Sequence, residues 1–107
     1  MALNNTQDTF QIFKNETFII WSKYDYSQQS EYIDELTKYL HTFNTTYLFG
    51  YLPNDISIRL SPYGIIIYTV NNVEMYQGDL IEYMESNYST WMLMNINKKI
   101  SKINEYK

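Results

Sequence analysis

The chain has 107 residues, no cysteine and a net charge of −4, with 45% apolar and 19% charged residues. That balance is globular rather than disordered, and a chain of this size buries about two-thirds of its unfolded surface as one domain, so we expect a single domain over 1–107. Without cysteine there is no disulfide framework, no thiolate nucleophile and no sulfur ligand for zinc.

In chain order, residues 1–8 are polar and are expected to be a frayed terminus. Residues 9–14 and 17–23 are rich in aromatic and β-branched side chains on either side of Asn15-Glu16, which predicts two strands joined by a tight turn. A helix is predicted from Ser27 or Ser30 to Phe43, because Tyr32, Ile33, Leu36, Tyr39, Leu40 and Phe43 fall on one face at a period of 3.6. Its other face carries Glu31, Asp34, Glu35, Lys38 and His41. Asn44-Thr45-Thr46 leads into residues 47–52, and Pro53-Asn54-Asp55 makes the turn into a half-buried strand, 56–60. Ser61-Pro62-Tyr63-Gly64 reverses the chain into 65–70, which is apolar on both faces and so expected to be central. Asn71-Asn72 is the expected turn to a further strand, since asparagine tolerates positive φ. A second helix is predicted over 79–88, with Asp79 as its N-cap, Leu80, Ile81, Met84 and Tyr88 inward, and Glu82 and Glu85 outward. For 90–97 the pattern suits a short strand or turn leading into a possible third helix, in which Leu93, Ile96, Ile100 and Ile103 recur at 3-4-3 spacing. The expected architecture is α+β: an antiparallel sheet of about four to six strands, packed by two amphipathic helices.

The apolar runs at 18–21, 65–68 and 91–94 are far shorter than the roughly 20 residues of a membrane span, and the first residues lack the basic and apolar regions of a secretory signal. We therefore expect a cytoplasmic protein. Four Asn-x-Ser/Thr sequons, at Asn4, Asn15, Asn44 and Asn87, reflect the abundance of these residue types rather than glycosylation. Charge is unevenly distributed. Residues 1–97 carry eleven acids against Lys14, Lys23, Lys38 and Arg59, a balance of −7, whereas the basic segment 97–107 holds Lys98, Lys99, Lys102 and Lys107 against Glu105. Such a body repels nucleic-acid phosphates and steers basic partners toward itself. Direct nucleic-acid binding is therefore not expected.

No catalytic set emerges. His41 alone could serve as the imidazole of a triad, and its helical position faces solvent, without the surroundings that tune a base. Glu31 with Glu35 and Asp79 with Glu82 share helix faces, but exposed acids at this spacing are ordinary helix surface. Gly50, Gly64 and Gly78 stand in separate turns and form no phosphate loop, and no stretch has the ligand spacing of a calcium loop. We expect neither enzyme activity nor a cofactor nor a metal.

Twelve tyrosines are the outstanding feature. Tyrosine supplies contact area and a hydrogen-bonding tip at little entropic cost, and is enriched at binding hot spots, although a coding bias toward Asn, Ile, Tyr and Lys would raise its count too. Beside an acidic helix face it suits a non-enzymatic inhibitor that blocks a basic surface of a nuclease, toxin or nucleic-acid-binding effector. Small acidic proteins of this kind include immunity proteins and virus- or phage-encoded antagonists of defence. The expected partner-binding residues are Glu31, Asp34, Glu35, Asp79 and Glu82, with Tyr24, Tyr26 and Tyr83 at the margins. The alternative is a structural, self-assembling component of a virus or mobile element, forming homo-oligomers.

Overall fold

The structure, a computed structural model, describes residues 6–104, with side chains placed over 8–98. Its order is α1 (Thr6–Lys23), a 3-10 turn (Tyr26–Gln28), α2 (Gln29–Tyr47), β1 (Ser57–Leu60), β2 (Ile66–Val70), β3 (Val73–Met75) and α3 (Gln77–Asn104). Among the described residues it is an α+β arrangement of three α-helices and one three-stranded antiparallel sheet, in the order β1-β2-β3.

The expected N-terminal hairpin is instead α1, and this removes two of the expected four to six strands, of which the sheet keeps three. Among the described side chains of α1, Thr9, Phe10, Phe13, Thr17 and Ile20 are buried, and their spacing repeats every three or four residues. That periodicity was masked by β-branched and aromatic residues on the outward side, Ile12, Phe18, Ile19 and Trp21, all exposed. Burying one helical face outweighs the weaker local preference of such residues for strand. Thr17 fits because its hydroxyl donates to the Phe13 carbonyl at 2.9 Å within the helix. Asn15, expected in a turn, lies mid-helix and accepts a bond from the Gln11 side chain.

Three smaller corrections follow the same logic. Residues 6–8, expected to fray, form the first turn of α1, while 1–5 lie outside the described residues. Helix α2 runs on through Asn44-Thr45-Thr46 to Tyr47, because Phe43 and Asn44 are both buried and continue the inward stripe. Residues 48–52 are therefore an irregular link, held where the Asn44 carbonyl accepts the Leu48 and Gly50 N–H groups. At the other end no strand or break interrupts 90–97. Helix α3 is continuous from Gln77 to Asn104, so Asp79 sits inside its first turn, where its charge still complements the helix dipole without capping. Residues 97–104 of the basic segment continue this helix rather than starting a separate one, and 105–107 lie outside the described residues.

The sheet follows its alternation. Tyr68 and Val70 of β2 are buried, and Ile58, Leu60, Ile66 and Met75 pack around the same core, while Arg59 and Glu74 pair across the outer face at 2.9 Å. Asn71 and Asn72 adopt φ of 53° and 66°, the mirror-image turn that matches strand twist. The helices meet through tilted and edge-on rings: Phe43 of α2 lies 4.9 Å from Phe13 and 5.9 Å from Phe10 of α1, and Phe10 meets Tyr88 of α3 edge-on at 5.8 Å. A polar chain joins the layers, with the Tyr68 hydroxyl donating to Gln77 at 3.0 Å and the Gln77 amide donating to Thr17 at 3.1 Å. Burial drives the Tyr68 hydroxyl pKa well upward, so it stays a donor. No helix among the described residues is long and apolar enough to cross a membrane.

Candidate functional site

Helix α1 ends at Lys23, and the chain must turn sharply to start α2. Asp25 makes the turn. Its carboxylate accepts the Ser27 N–H at 2.9 Å and the Ser27 hydroxyl at 2.6 Å, while the Gln28 side chain accepts the Asp25 N–H at 3.1 Å. This reciprocal box pins the 3-10 turn that leads into α2, and the bonds from Ser27, side chain first and then backbone, hold the Asp25 carboxyl below its ordinary pKa. Opposite, Ser61 organises the β1–β2 turn: its hydroxyl accepts the N–H groups of Tyr63 and Ile65, both at 3.1 Å, and Gly64 takes the positive φ of 80° that the reversal needs.

These two turns face each other across a cleft of about 270 Å³. Buried Tyr32 and half-buried Leu60 form its floor, and Trp21, Tyr24, Tyr26 and Tyr63 its walls, with Asp25, Gln29 and Gly64 completing the lining. Trp21, Tyr26 and Tyr63 are 56%, 77% and 87% exposed. Tyr24 is anchored, its ring 6.2 Å from Tyr32 and its hydroxyl donating to Glu35.

Glu35 also takes the Lys23 ammonium at 2.6 Å. The Lys23 bond, then the Tyr24 bond, hold the Glu35 carboxyl below its ordinary 4.5, and the bond to Glu35 raises Lys23 above 10.5. A depressed carboxyl contributes stability above its unfolded pKa and loses it as pH falls through the folded one; a raised ammonium contributes below its unfolded pKa and loses it on the alkaline side. Glu35→Gln is thus expected to lower the melting temperature between those limits by no more than a few degrees, since the pair is exposed. The difference from wild type should vanish on acidification, as melting curves across pH would show.

The expected partner-binding residues fall into two places. Glu31 and Asp34 are exposed on α2. The Glu35 bond, then burial and, least, the Glu31 charge raise the Tyr24 hydroxyl above its ordinary pKa. Asp34 lines a shallow depression that shares Gln29 and Leu60 with the aromatic cleft. Tyr24, Tyr26, Glu31, Asp34 and Glu35 are therefore one neighbourhood, in which Glu35 is occupied by internal partners. Asp79, Glu82 and Tyr83 belong to α3, which packs on α1 and β2, whereas α2 packs on α1 and β1. Asp79 lines a separate hollow with Ile67, Glu74, Met75 and Tyr76, Glu82 is exposed, and half-buried Tyr83 packs edge-on against Trp91 at 6.2 Å. His41 is exposed on α2. Of the cleft residues, the expected site holds only Tyr24 and Tyr26; Trp21, Asp25, Gln29, Tyr32, Leu60, Tyr63 and Gly64 are added by the structure. Trp21 lies in a segment whose composition predicts a strand, and only the Asp25-x-x-Gln28 spacing, a capping-box signature, points to a built turn.

Neither family models, nor curated proteins, nor solved structures match this chain.

Proposed function

We propose that the protein acts without catalysis, as an acidic inhibitor that covers a basic surface of another protein in the cytoplasm, docking through the α1–α2 corner. The observation that carries this reading is the placement of three strongly exposed aromatic side chains, Trp21, Tyr26 and Tyr63, around a cleft that also holds Asp25, with Glu31 and Asp34 exposed on the adjoining α2. Lys23, at the same corner, is paired with Glu35. Aromatic anchors ringed by like charge suit a partner of opposite charge: the rings supply contact area, and the acids supply steering and register. Nucleases, toxins and nucleic-acid-binding effectors present such basic surfaces, the targets of immunity proteins and of virus-encoded antagonists.

Capture from nuclease-treated lysate of the host, at low and at high salt, tests the proposal. The expected result is one basic protein recovered at defined stoichiometry in low salt, and lost on reversing Glu31 and Asp34 to lysine. Recovery unaffected by that reversal would reject the docking face. A second reading, self-assembly, is favoured by α3, where Leu93 is 60% exposed and Met94 and Ile96 are exposed beside it. If the bait captures nothing and runs as a defined oligomer that Leu93→Glu dissociates, self-assembly replaces inhibition.

A further inference from the structure

We infer that the cleft between Trp21, Tyr26 and Tyr63 is a receptor for an arginine side chain of the partner protein. The inference rests on the docking reading above and specifies what the corner would hold. Its volume of about 270 Å³ falls just under the roughly 300–1,000 Å³ of pockets that enclose small organic ligands, which fits a single inserted side chain. The lining is aromatic, and aromatic faces attract cations through their quadrupole, most strongly for tryptophan.

The local charge selects a cation over a neutral guest. Asp25 stands in the lining itself, its ionised form favoured by the two Ser27 bonds. Glu31 is exposed in the first turn of α2, which follows directly on the Asp25 turn, and Lys23 is compensated by Glu35. A phosphate or carboxylate would meet the Asp25 carboxylate in the lining. Among cations, the flat guanidinium is the better match: it stacks on indole or phenol rings while its in-plane N–H groups reach the Asp25 carboxylate and the Gln29 amide oxygen, whereas an ammonium is a strongly hydrated point charge.

The test is an NMR titration of the full chain with N-acetyl-L-arginine methylamide. Two indole N–H signals serve as reporters, since Trp21 is 56% exposed and Trp91 only 7%. The expected result is a saturable millimolar shift of Trp21 and of the Gly64 amide while Trp91 stays still, with binding weakened about fivefold in Trp21→Ala. Asp25→Asn keeps the cap and removes the charge, and is expected to weaken binding several-fold. Three results would each overturn the assignment: no saturable shift at Trp21, an equal response to the uncharged isostere N-acetyl-citrulline methylamide, or an equal response to the lysine analogue. Capture with a Trp21→Ala bait separates the two proposals. A partner retained by that bait, with no arginine response in the wild type, leaves docking standing and removes the cleft; an arginine response without any captured partner does the reverse.

Discussion

Replacing Phe43 by alanine is expected to cost about 3–5 kcal/mol of stability, as for other large-to-small changes in well-packed cores. Phe43 is fully buried and lies within 6.0 Å, centroid to centroid, of Phe10, Phe13, Tyr39 and Tyr47. Four rings anchored in two helices cannot all collapse into the space a phenyl leaves, so most of the cavity should persist. Against a typical domain stability of about 5–15 kcal/mol, the variant would stand near its unfolding threshold. Urea denaturation followed by circular dichroism measures this as a large fall in midpoint with little change in slope. A loss below about 1 kcal/mol would mean that Phe43 is not the hub of α1–α2 packing.

Asn44→Ala is expected to cost about 2 kcal/mol, by a different mechanism. The Asn44 side chain is buried at the end of α2, where its oxygen accepts the Leu52 N–H at 2.8 Å and its amide donates more weakly to the Leu52 carbonyl at 3.4 Å. Alanine removes both and leaves backbone groups next to buried Leu52 without a partner, the costly direction in which to break a hydrogen bond. Because the link between α2 and β1 is what the side chain ties down, hydrogen exchange at the Leu52 amide should rise more than at the centre of α2. Uniform loss of protection across the domain would instead indicate simple global destabilisation.

The same residue shows where sequence reading reached its limit. The periodicity of Tyr32, Leu36, Leu40 and Phe43 predicts α2 from the chain alone, because an amphipathic stripe is a local pattern that one apolar neighbour suffices to satisfy. The pattern says nothing about Asn44. Its polar side chain belongs in the helix only because the loop eight residues on returns to bond it, and that is a tertiary fact. The two-asparagine turn and the central β2 strand were legible for the same local reasons, positive φ tolerance and apolarity on both faces.

What the sequence by itself determined, then, was the α+β class, the heart of α2, the β1–β3 meander, the start of α3 to within two residues, and the acidic surface on which any steering argument depends. Tertiary structure decided the rest. Residues 9–23 contain both a helical stripe and strand-like composition, and the choice between them was made by a place for Phe10 and Phe13 against Phe43, not by propensity. Helix α3 continues past Trp91, itself buried, and Lys98 lies over the Tyr51 ring at 5.4 Å, so the helix keeps packing partners where its own sequence is ambiguous. The aromatic cleft joins Trp21 to Tyr63, 42 positions apart in the chain. Such a juxtaposition has no local signature, because the free energy that brings the two turns together comes from the core beneath them.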